Sequence, residues 1–126
     1  MTCLLDTHFV IWIVSDSKRV KNYGWLDEYQ PWIVSPVSLL EIQFLAEVGR
    51  RRINNPRFSR EIMSDPRFQF DDAPLAGIIQ RSLDLTWTRD PFDRLIAAHS
   101  LVRRVPLCTV DALVLDNHKL IVPELR

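Results

Sequence analysis

Four acidic residues, spread over almost the whole chain, stand where the sequence predicts a turn into a helix. Asp6 and Asp111 each follow an apolar run, whereas Glu41 and Asp93 lie in segments where a helix is predicted to begin. Carboxylate oxygens without His or Cys suit Mg²⁺ or Mn²⁺ better than Zn²⁺. If the fold gathers these four side chains, they form a divalent-cation site suited to phosphodiester chemistry.

Each acid also has a simple structural explanation. Asp6 and Asp111 suit the N-cap positions of the helices predicted to follow them. Ser38 and Glu41 match the S-x-x-E pattern of a capping box, in which the Glu side chain serves the helix start. Taken one at a time, these residues therefore do not distinguish a cap from a metal ligand.

The segment around Asp93 carries the same ambiguity. Asp90 followed by Pro91 matches an N-cap residue and the first helical position. Asp93 then falls in the first turn of the helix, where a negative charge interacts favourably with the helix dipole.

Short apolar runs alternate with amphipathic segments along the chain, which predicts an α/β fold with a central parallel sheet. Strands are predicted at about 2–6, 32–35, 107–110 and 120–122, with a short edge strand at 67–71. Helices are predicted at 8–14, 18–29, 36–48, 75–83, 91–104 and 112–118, with a short helix opened by residues 54–56. Gly49 is placed to end the helix that begins at Pro36.

This arrangement strengthens the metal-site interpretation. The carboxyl ends of parallel strands lie along one edge of a sheet, and ligands bind there. Asp6 and Asp111 end strands, and Glu41 follows a strand closely, so these three start from that edge. Asp93 joins them if its helix also begins there. Thr7 and Thr109 are then placed to orient ligands from a second layer.

Length and composition indicate one globular domain spanning residues 1–126, since 47% of the residues are hydrophobic and 25% charged. No apolar run reaches the roughly 18 residues that a membrane span needs, and the N-terminus shows no secretion signal, so we expect no membrane association. Cys3 and Cys108 fall in apolar runs, which predicts buried free thiols and a cytoplasmic protein.

The formal net charge is zero, but setting the four acids aside leaves an excess of basic residues. Most of these are Arg, which binds phosphate in a forked geometry. Arg50, Arg51 and Arg52 are consecutive, and Arg89 precedes the Asp90–Pro91 pair. These four are candidates for phosphate contact, although an Arg run near a helix C-terminus also complements the helix dipole.

The acids lie in four ordered segments that resemble the motifs of PIN-domain nucleases, in particular the VapC-type toxins of bacterial and archaeal toxin–antitoxin pairs. The segments are Leu4-Leu5-Asp6-Thr7-His8, Ser38-Leu39-Leu40-Glu41-Ile42, Arg89-Asp90-Pro91-Phe92-Asp93-Arg94-Leu95-Ile96-Ala97-Ala98 and Thr109-Val110-Asp111. The resemblance spans nearly the whole chain, and the third segment is its most specific part.

The resemblance implies a three-layer α/β/α PIN-like fold in which Asp6, Glu41, Asp93 and Asp111 bind the metal and Asp90 caps a helix. It implies Mg²⁺- or Mn²⁺-dependent endoribonuclease activity, for which the Arg residues named above are the candidates for RNA contact. It also implies a homodimer and a small VapB-type antitoxin as partners.

Two positions depart from that subgroup, which often has Trp before the second acid and Lys one turn after it. Leu40 and Leu45 stand there in this chain.

Two other classes of protein are alternatives. A phosphoacceptor signalling domain also gathers acids at a sheet edge, but it needs an early adjacent acid pair, and Asp6 stands between Leu5 and Thr7. A non-catalytic module that binds RNA or a partner would have no need to retain all four acids.

Overall fold

The computed structural model describes residues 1–50 and 52–126. Within these residues a parallel sheet forms in the order β3-β2-β1-β4. The strands are β1 Leu4–Leu5, β2 Trp32–Val34, β3 Phe68–Phe70 and β4 Leu107–Cys108. Leu4 of the central strand pairs with Ile33 on one side and with Leu107 on the other. This confirms the predicted α/β class and the predicted edge strand β3.

The helices around the sheet are α1 Thr7–Val14, α2 Pro36–Glu47, α3 Asn55–Ser64, α4 Leu75–Ser82, α5 Pro91–Arg103 and α6 Ala112–Asn117. Two predictions were wrong. The segment expected to be one helix at 18–29 forms two 3₁₀ helices, Lys18–Asn22 and Gly24–Tyr29, separated at Tyr23. The strand expected at 120–122 is a single bridge between Ile121 and Leu107, because the chain turns into the 3₁₀ helix Pro123–Leu125. No helix in the described ranges is long and apolar enough to cross a membrane.

The strand order reverses at β1. The chain first adds β2 and β3 on one side of β1, and then returns through α4 and α5 to place β4 on the other side. Because parallel crossovers are right-handed, this reversal puts the two crossovers on opposite faces of the sheet and gives three layers. The crevice outside the carboxyl ends of β1 and β4 is therefore the place where such a sheet binds a ligand.

The two central strands and β4 are short apolar runs, and most of their side chains are buried. Leu4, Leu5 and Val34 are at most 1% exposed, and Cys108 is fully buried. Cys3 and Cys108 are free, buried thiols as predicted. A sheet covered by helices on both faces leaves only its edges for polar chemistry.

The start of α2 differs from the capping box that Ser38 and Glu41 suggest. Ser35 is the N-cap, and its hydroxyl accepts a hydrogen bond from the Val37 backbone N–H at 3.2 Å. Pro36 then occupies the first turn, where its missing N–H costs nothing. Ser38 is buried inside the helix, so Glu41 is not needed for capping and its carboxylate is available to the site.

The end of α2 is a left-handed turn at Gly49, whose φ is +75°. The Gly49 N–H donates to the Ala46 carbonyl at 3.2 Å, and the Arg50 N–H donates to the Leu45 carbonyl at 3.0 Å. This is the Schellman pattern that commonly ends a helix at glycine, as predicted for Gly49. The second bond ties the backbone of Arg50 to the last turn of α2.

A buried hydrogen-bonded chain joins α5 to the ends of two strands. His99 on α5 is fully buried, and its Nδ1 lies 2.9 Å from the Oγ of Ser35. Its Nε2 donates to Asp71 Oδ2 at 2.7 Å, since a carboxylate only accepts. Arg103 also donates to Asp71 Oδ2, at 2.7 Å. Burial raises the pKa of Asp71, but the hydrogen bonds from Arg103 and His99 outweigh it and hold the pKa below its ordinary value.

We predict that His99→Leu lowers the free energy of unfolding by about 2–3 kcal/mol, because it leaves Ser35 and Asp71 without their buried partner. Urea unfolding followed by tryptophan fluorescence measures this. Arg103→Gln is the matched control, because Arg103 is 41% exposed and its loss should cost less than about 1 kcal/mol. Equal stability of His99→Leu and the wild type would contradict a structural role for the hydrogen bonds of His99.

Candidate active site

Asp6 lies where β1 passes directly into α1. It is the N-cap of α1, and its Oδ1 accepts from the Thr7 backbone N–H at 2.7 Å. Its Oδ2 accepts from the hydroxyl of Thr109 at 2.7 Å. Thr109 follows β4, so this bond joins the carboxyl ends of the two neighbouring strands. Asp6 is therefore both a helix cap and a fixed carboxylate at the reversal of strand order.

Asp111 is held to the same point by Thr109. The Asp111 backbone N–H donates to Thr109 Oγ1 at 3.1 Å, and Asp111 Oδ1 accepts from the Val114 N–H at 3.1 Å as the N-cap of α6. Thr109 thus contacts Asp6 through its proton and Asp111 through its lone pair. This is the supporting position suggested for Thr109 by the sequence.

Glu41 lies in the second turn of α2 and is 8% exposed. Its Oε1 is buried without a hydrogen-bond partner among the described residues. Thr7, whose hydroxyl donates to Ser38 Oγ at 3.0 Å, also lies near Glu41, and its hydrogen bonding lowers the Glu41 pKa against the effect of burial. Thr7 is therefore placed beside two of the acids. Ser38, for which the sequence analysis suggested only a capping role, belongs to the same polar layer.

Asp93 reaches the site because α5 begins at the carboxyl edge of the sheet. Asp90 is the N-cap of α5, as predicted, and its Oδ1 accepts from the backbone N–H groups of Phe92 and Asp93 at 2.8 and 3.3 Å. Asp93 then projects from the first turn of α5. The helix that carries Asp93 therefore begins at the carboxyl edge of the sheet, which is what the sequence analysis required for Asp93 to join the other three acids.

The acids surround one cavity of about 410 Å³. Its walls are formed by His8, Glu41, Phe44, Leu45, Arg50, Asp90, Phe92, Asp93 and Asp111. Asp6 lies next to it and lines a smaller adjoining cavity, of which His8 and Asp111 are also walls. We call the larger space the acid cavity.

The pKa values of three acids are raised within this cluster. Burial, followed by the charges of Asp6 and Asp90, raises the pKa of Glu41 to about 7. Burial, followed by the charges of Asp90, Asp6, Asp111 and Glu41, raises the pKa of Asp93 to about 7. Burial also raises the pKa of Asp6, against the hydrogen bond from Thr109. The cluster therefore holds protons at neutral pH that a cation would displace.

The donor set fits Mg²⁺ or Mn²⁺. Carboxylates are the ligands that these hard cations take, and the buried, unpartnered Oε1 of Glu41 is an oxygen that the protein itself leaves unsatisfied. In the part of the chain that the structure describes, no group of three His, Cys, Asp or Glu side chains is already spaced to hold a metal ion.

The three Arg candidates for phosphate contact that the structure describes do not line one cavity. Arg50 lines the acid cavity, whereas Arg52 lines a separate cavity beside α3 with Arg57 and Glu61. Arg89 is exposed and is not part of the described wall of the acid cavity. The fourth candidate, Arg51, lies outside the described residues.

Sequence reasoning did not identify the aromatic wall of the acid cavity. The rings of Phe44 and Phe92 lie 5.4 Å apart at an interplanar angle of 45°. Their spacing suits core residues, so only the tertiary contact between α2 and α5 reveals the pair. His8 also lines the cavity. The feature of the sequence that indicates this is its position directly after Asp6 and Thr7.

Comparison with known proteins gives a consistent family and fold. The sequence profile of the PIN domain matches residues 3–116. Comparison with curated protein sequences gives no significant match.

Two solved structures are similar to the chain. One is a toxin–antitoxin complex from Klebsiella pneumoniae, with a TM-score of 0.62 and 21% identity over 86% of this chain and 85% of that chain. The other is VapBC2 from Rickettsia felis bound to a DNA fragment from its promoter, with a TM-score of 0.67 and 18% identity over 96% of each chain. At these identities the similarity shows a shared fold.

The raised pKa values predict how the metal-free protein responds to pH. A carboxyl group whose pKa is higher in the folded than in the unfolded state stabilises the fold below its ordinary pKa, and that contribution is lost as pH rises through the folded value. For Glu41 this loss extends from about pH 4.5 to about pH 7. Glu41→Gln should therefore raise the free energy of unfolding by about 1–3 kcal/mol at pH 8 and change it little at pH 5.

Urea unfolding in the presence of EDTA at the two pH values measures this difference. Glu47→Gln is the matched control, because Glu47 lies on the same helix but is exposed and outside the acid cavity. A parallel response of the two variants to pH would show that Glu41 carries no electrostatic strain.

Proposed function

The chain belongs to the PIN domain family, and from this premise we propose that it is a Mg²⁺- or Mn²⁺-dependent endoribonuclease that acts as the toxin of a toxin–antitoxin pair. One observation carries the proposal. Three acids on three different elements line one cavity with Asp6 beside it, and Glu41 has a buried oxygen without a partner among the described residues. A protein does not gather like charges in this way for stability, because they repel each other.

Asp6, Glu41, Asp93 and Asp111 are the residues that would hold the cation. Bound Mg²⁺ or Mn²⁺ supplies Lewis-acid chemistry and an activated water for hydrolysis of a phosphodiester. Asp6 is oriented by the Thr7 N–H and the Thr109 hydroxyl, so its carboxylate has one defined direction. Glu41 and Asp93 have pKa values of about 7, so a bound cation would displace the protons that these two carboxyl groups hold at neutral pH.

Arg50 is the residue that we assign to the RNA phosphate. It is a guanidinium group in the wall of a cavity otherwise rich in carboxylates, and its backbone is tied to α2 by the hydrogen bond to Leu45. An Arg in that position offsets the repulsion between the acids and an incoming polyanion. Arg52 and Arg89 lie outside this wall, and we assign them at most to the flanking RNA.

The proposed partners follow from the family and the similar structures. The Klebsiella pneumoniae chain is part of a toxin–antitoxin complex, and the Rickettsia felis structure is a VapBC2 complex. We propose that a VapB-type antitoxin binds this chain and that the chain acts on RNA in the cytoplasm. We also propose a homodimer, for which the exposed apolar residues Leu75 and Ile79 of α4 and Leu83 at its C-cap offer a surface.

The purified protein should cleave single-stranded RNA in the presence of Mg²⁺ or Mn²⁺ and lose this activity with EDTA. Asp6→Asn and Asp93→Asn should each reduce the rate at least about 100-fold, because each removes a charge from the cation site. Asp116→Asn is the control, since Asp116 is exposed on α6 and lies away from the acid cavity. Gel analysis of a labelled RNA measures the rates, and equal cleavage by all four proteins would refute the assignment.

Induced expression of the chain in a bacterial host should arrest growth if the chain is a toxin. The arrest should be absent with Asp93→Asn and should be relieved by coexpression of a cognate VapB-type antitoxin. Optical density and copurification of the two proteins measure these effects. Arrest of the same extent with Asp93→Asn would separate toxicity from the acid cavity and contradict the proposal.

A further inference from the structure

The wall of the acid cavity combines two kinds of side chain. It contains four carboxylates, which suit a cation: Glu41, Asp90, Asp93 and Asp111. It also contains three apolar side chains, Phe44, Leu45 and Phe92, together with His8 and Arg50. A cation site makes no use of aromatic rings, so the two Phe rings are available to another part of a ligand.

The two rings are open to a ligand. Phe44 is 46% exposed and Phe92 is half-buried, and their contact at 5.4 Å fixes the orientation of both rings. Phe44 follows Glu41 by about one helical turn, and Phe92 immediately precedes Asp93. A flat group that packs on these rings therefore lies directly beside two of the acids.

We propose that Phe44 and Phe92 form a stacking site for one unpaired nucleobase of the RNA strand, next to the phosphate that the acids and Arg50 receive. The stacking site rests on the proposed function and adds to it the place where one base of the RNA binds. The base is the uncharged, flat part of a nucleotide, so it suits the two aromatic rings in the cavity wall. Stacking on aromatic side chains accepts any base and requires that the base be unpaired.

Charge and exposure favour a nucleotide over a protein segment at this position. Leu40, Phe44 and Val48 form an exposed apolar stripe along α2, but of these three only Phe44 lines the acid cavity. A partner helix would lie along the whole stripe. A stacked base needs only Phe44 of this stripe, together with Phe92, and Arg50 in the same cavity wall provides the positive charge that a phosphate requires.

The test measures binding separately from cleavage. A fluorescein-labelled single-stranded RNA is titrated with Asp93→Asn protein without divalent cations, and fluorescence anisotropy reports the Kd. In this background Phe44→Ala should weaken binding about 10-fold. Phe44→Leu should weaken it nearly as much, because Leu keeps the apolar contact but has no ring face, whereas Phe44→Tyr should bind like the parent.

Val48→Ala is the matched control, because Val48 is 49% exposed at the C-cap of the same helix and does not line the cavity. Its Kd should equal that of the parent. Arg50→Gln should reduce the slope of log Kd against log salt by about 0.7, the value for one phosphate contact on a single strand. Phe44→Ala should leave this slope unchanged, which separates stacking from charge.

A set of RNAs with one abasic position identifies the stacked base. At one position the abasic RNA should bind the parent about 10-fold more weakly and should bind Phe44→Ala with no further loss. Duplex RNA of the same sequence should show no effect of Phe44→Ala, since its bases are paired.

Three results would overturn the proposal. One is an unchanged Kd with Phe44→Ala. A second is equal losses with Phe44→Ala and Val48→Ala, which would show RNA contact along the whole stripe and not a stacking site in the cavity wall. The third is additive losses at every abasic position. If cleavage is intact but binding is independent of Phe44, only the stacking site is wrong. If binding depends on Phe44 but no RNA is cleaved, the stacking site stands and the nuclease assignment fails.

Discussion

Repulsion among carboxylates in a partly dry cavity is the constraint on which the rest of the structure depends. Asp6, Glu41 and Asp93 all have raised pKa values, with burial as the largest cause and the neighbouring acids adding to it. The N-termini of α1, α5 and α6 point at this cluster and contribute partial positive charge. Arg50 and the Thr109 hydroxyl add to this compensation, and the remaining imbalance is what a divalent cation would correct.

Helix capping and metal binding turn out to be compatible uses of one side chain. Asp111 caps α6 through Oδ1 only, and a carboxylate has about four lone-pair directions in total. Asp6 likewise accepts one bond at each oxygen and retains further lone pairs. The caps hold the carboxylates in place before any ligand arrives, which reduces the ordering that binding requires. Glu41 differs because Ser35 caps its helix, which leaves the Glu41 side chain entirely to the site.

A second layer of contacts holds the two helices that carry Glu41 and Asp93. His99 on α5 contacts Ser35, the N-cap of α2, and Asp71, which follows β3. On the cavity side, Phe44 of α2 contacts Phe92 of α5. The distance between the two acids therefore depends on a buried polar contact and on an aromatic contact. Side-chain networks of this kind keep a functional site in one arrangement.

Much of this protein was predictable from its sequence, because strand runs, helix caps and the glycine turn are local patterns. Asp6 and Asp111 follow buried strands, and the Asp90–Pro91 pair and Gly49 mark a helix start and a helix end that the structure contains. The single helix predicted at 18–29 and the capping box predicted at Ser38 were wrong for a local reason too. The residues in each segment are compatible with more than one backbone geometry. Only the tertiary structure decided that α5 begins at the carboxyl edge, that Arg50 and Arg52 line different cavities, and that Phe44 meets Phe92. These facts depend on how crossovers pack residues far apart in the chain, and spacing along the sequence does not encode that distance.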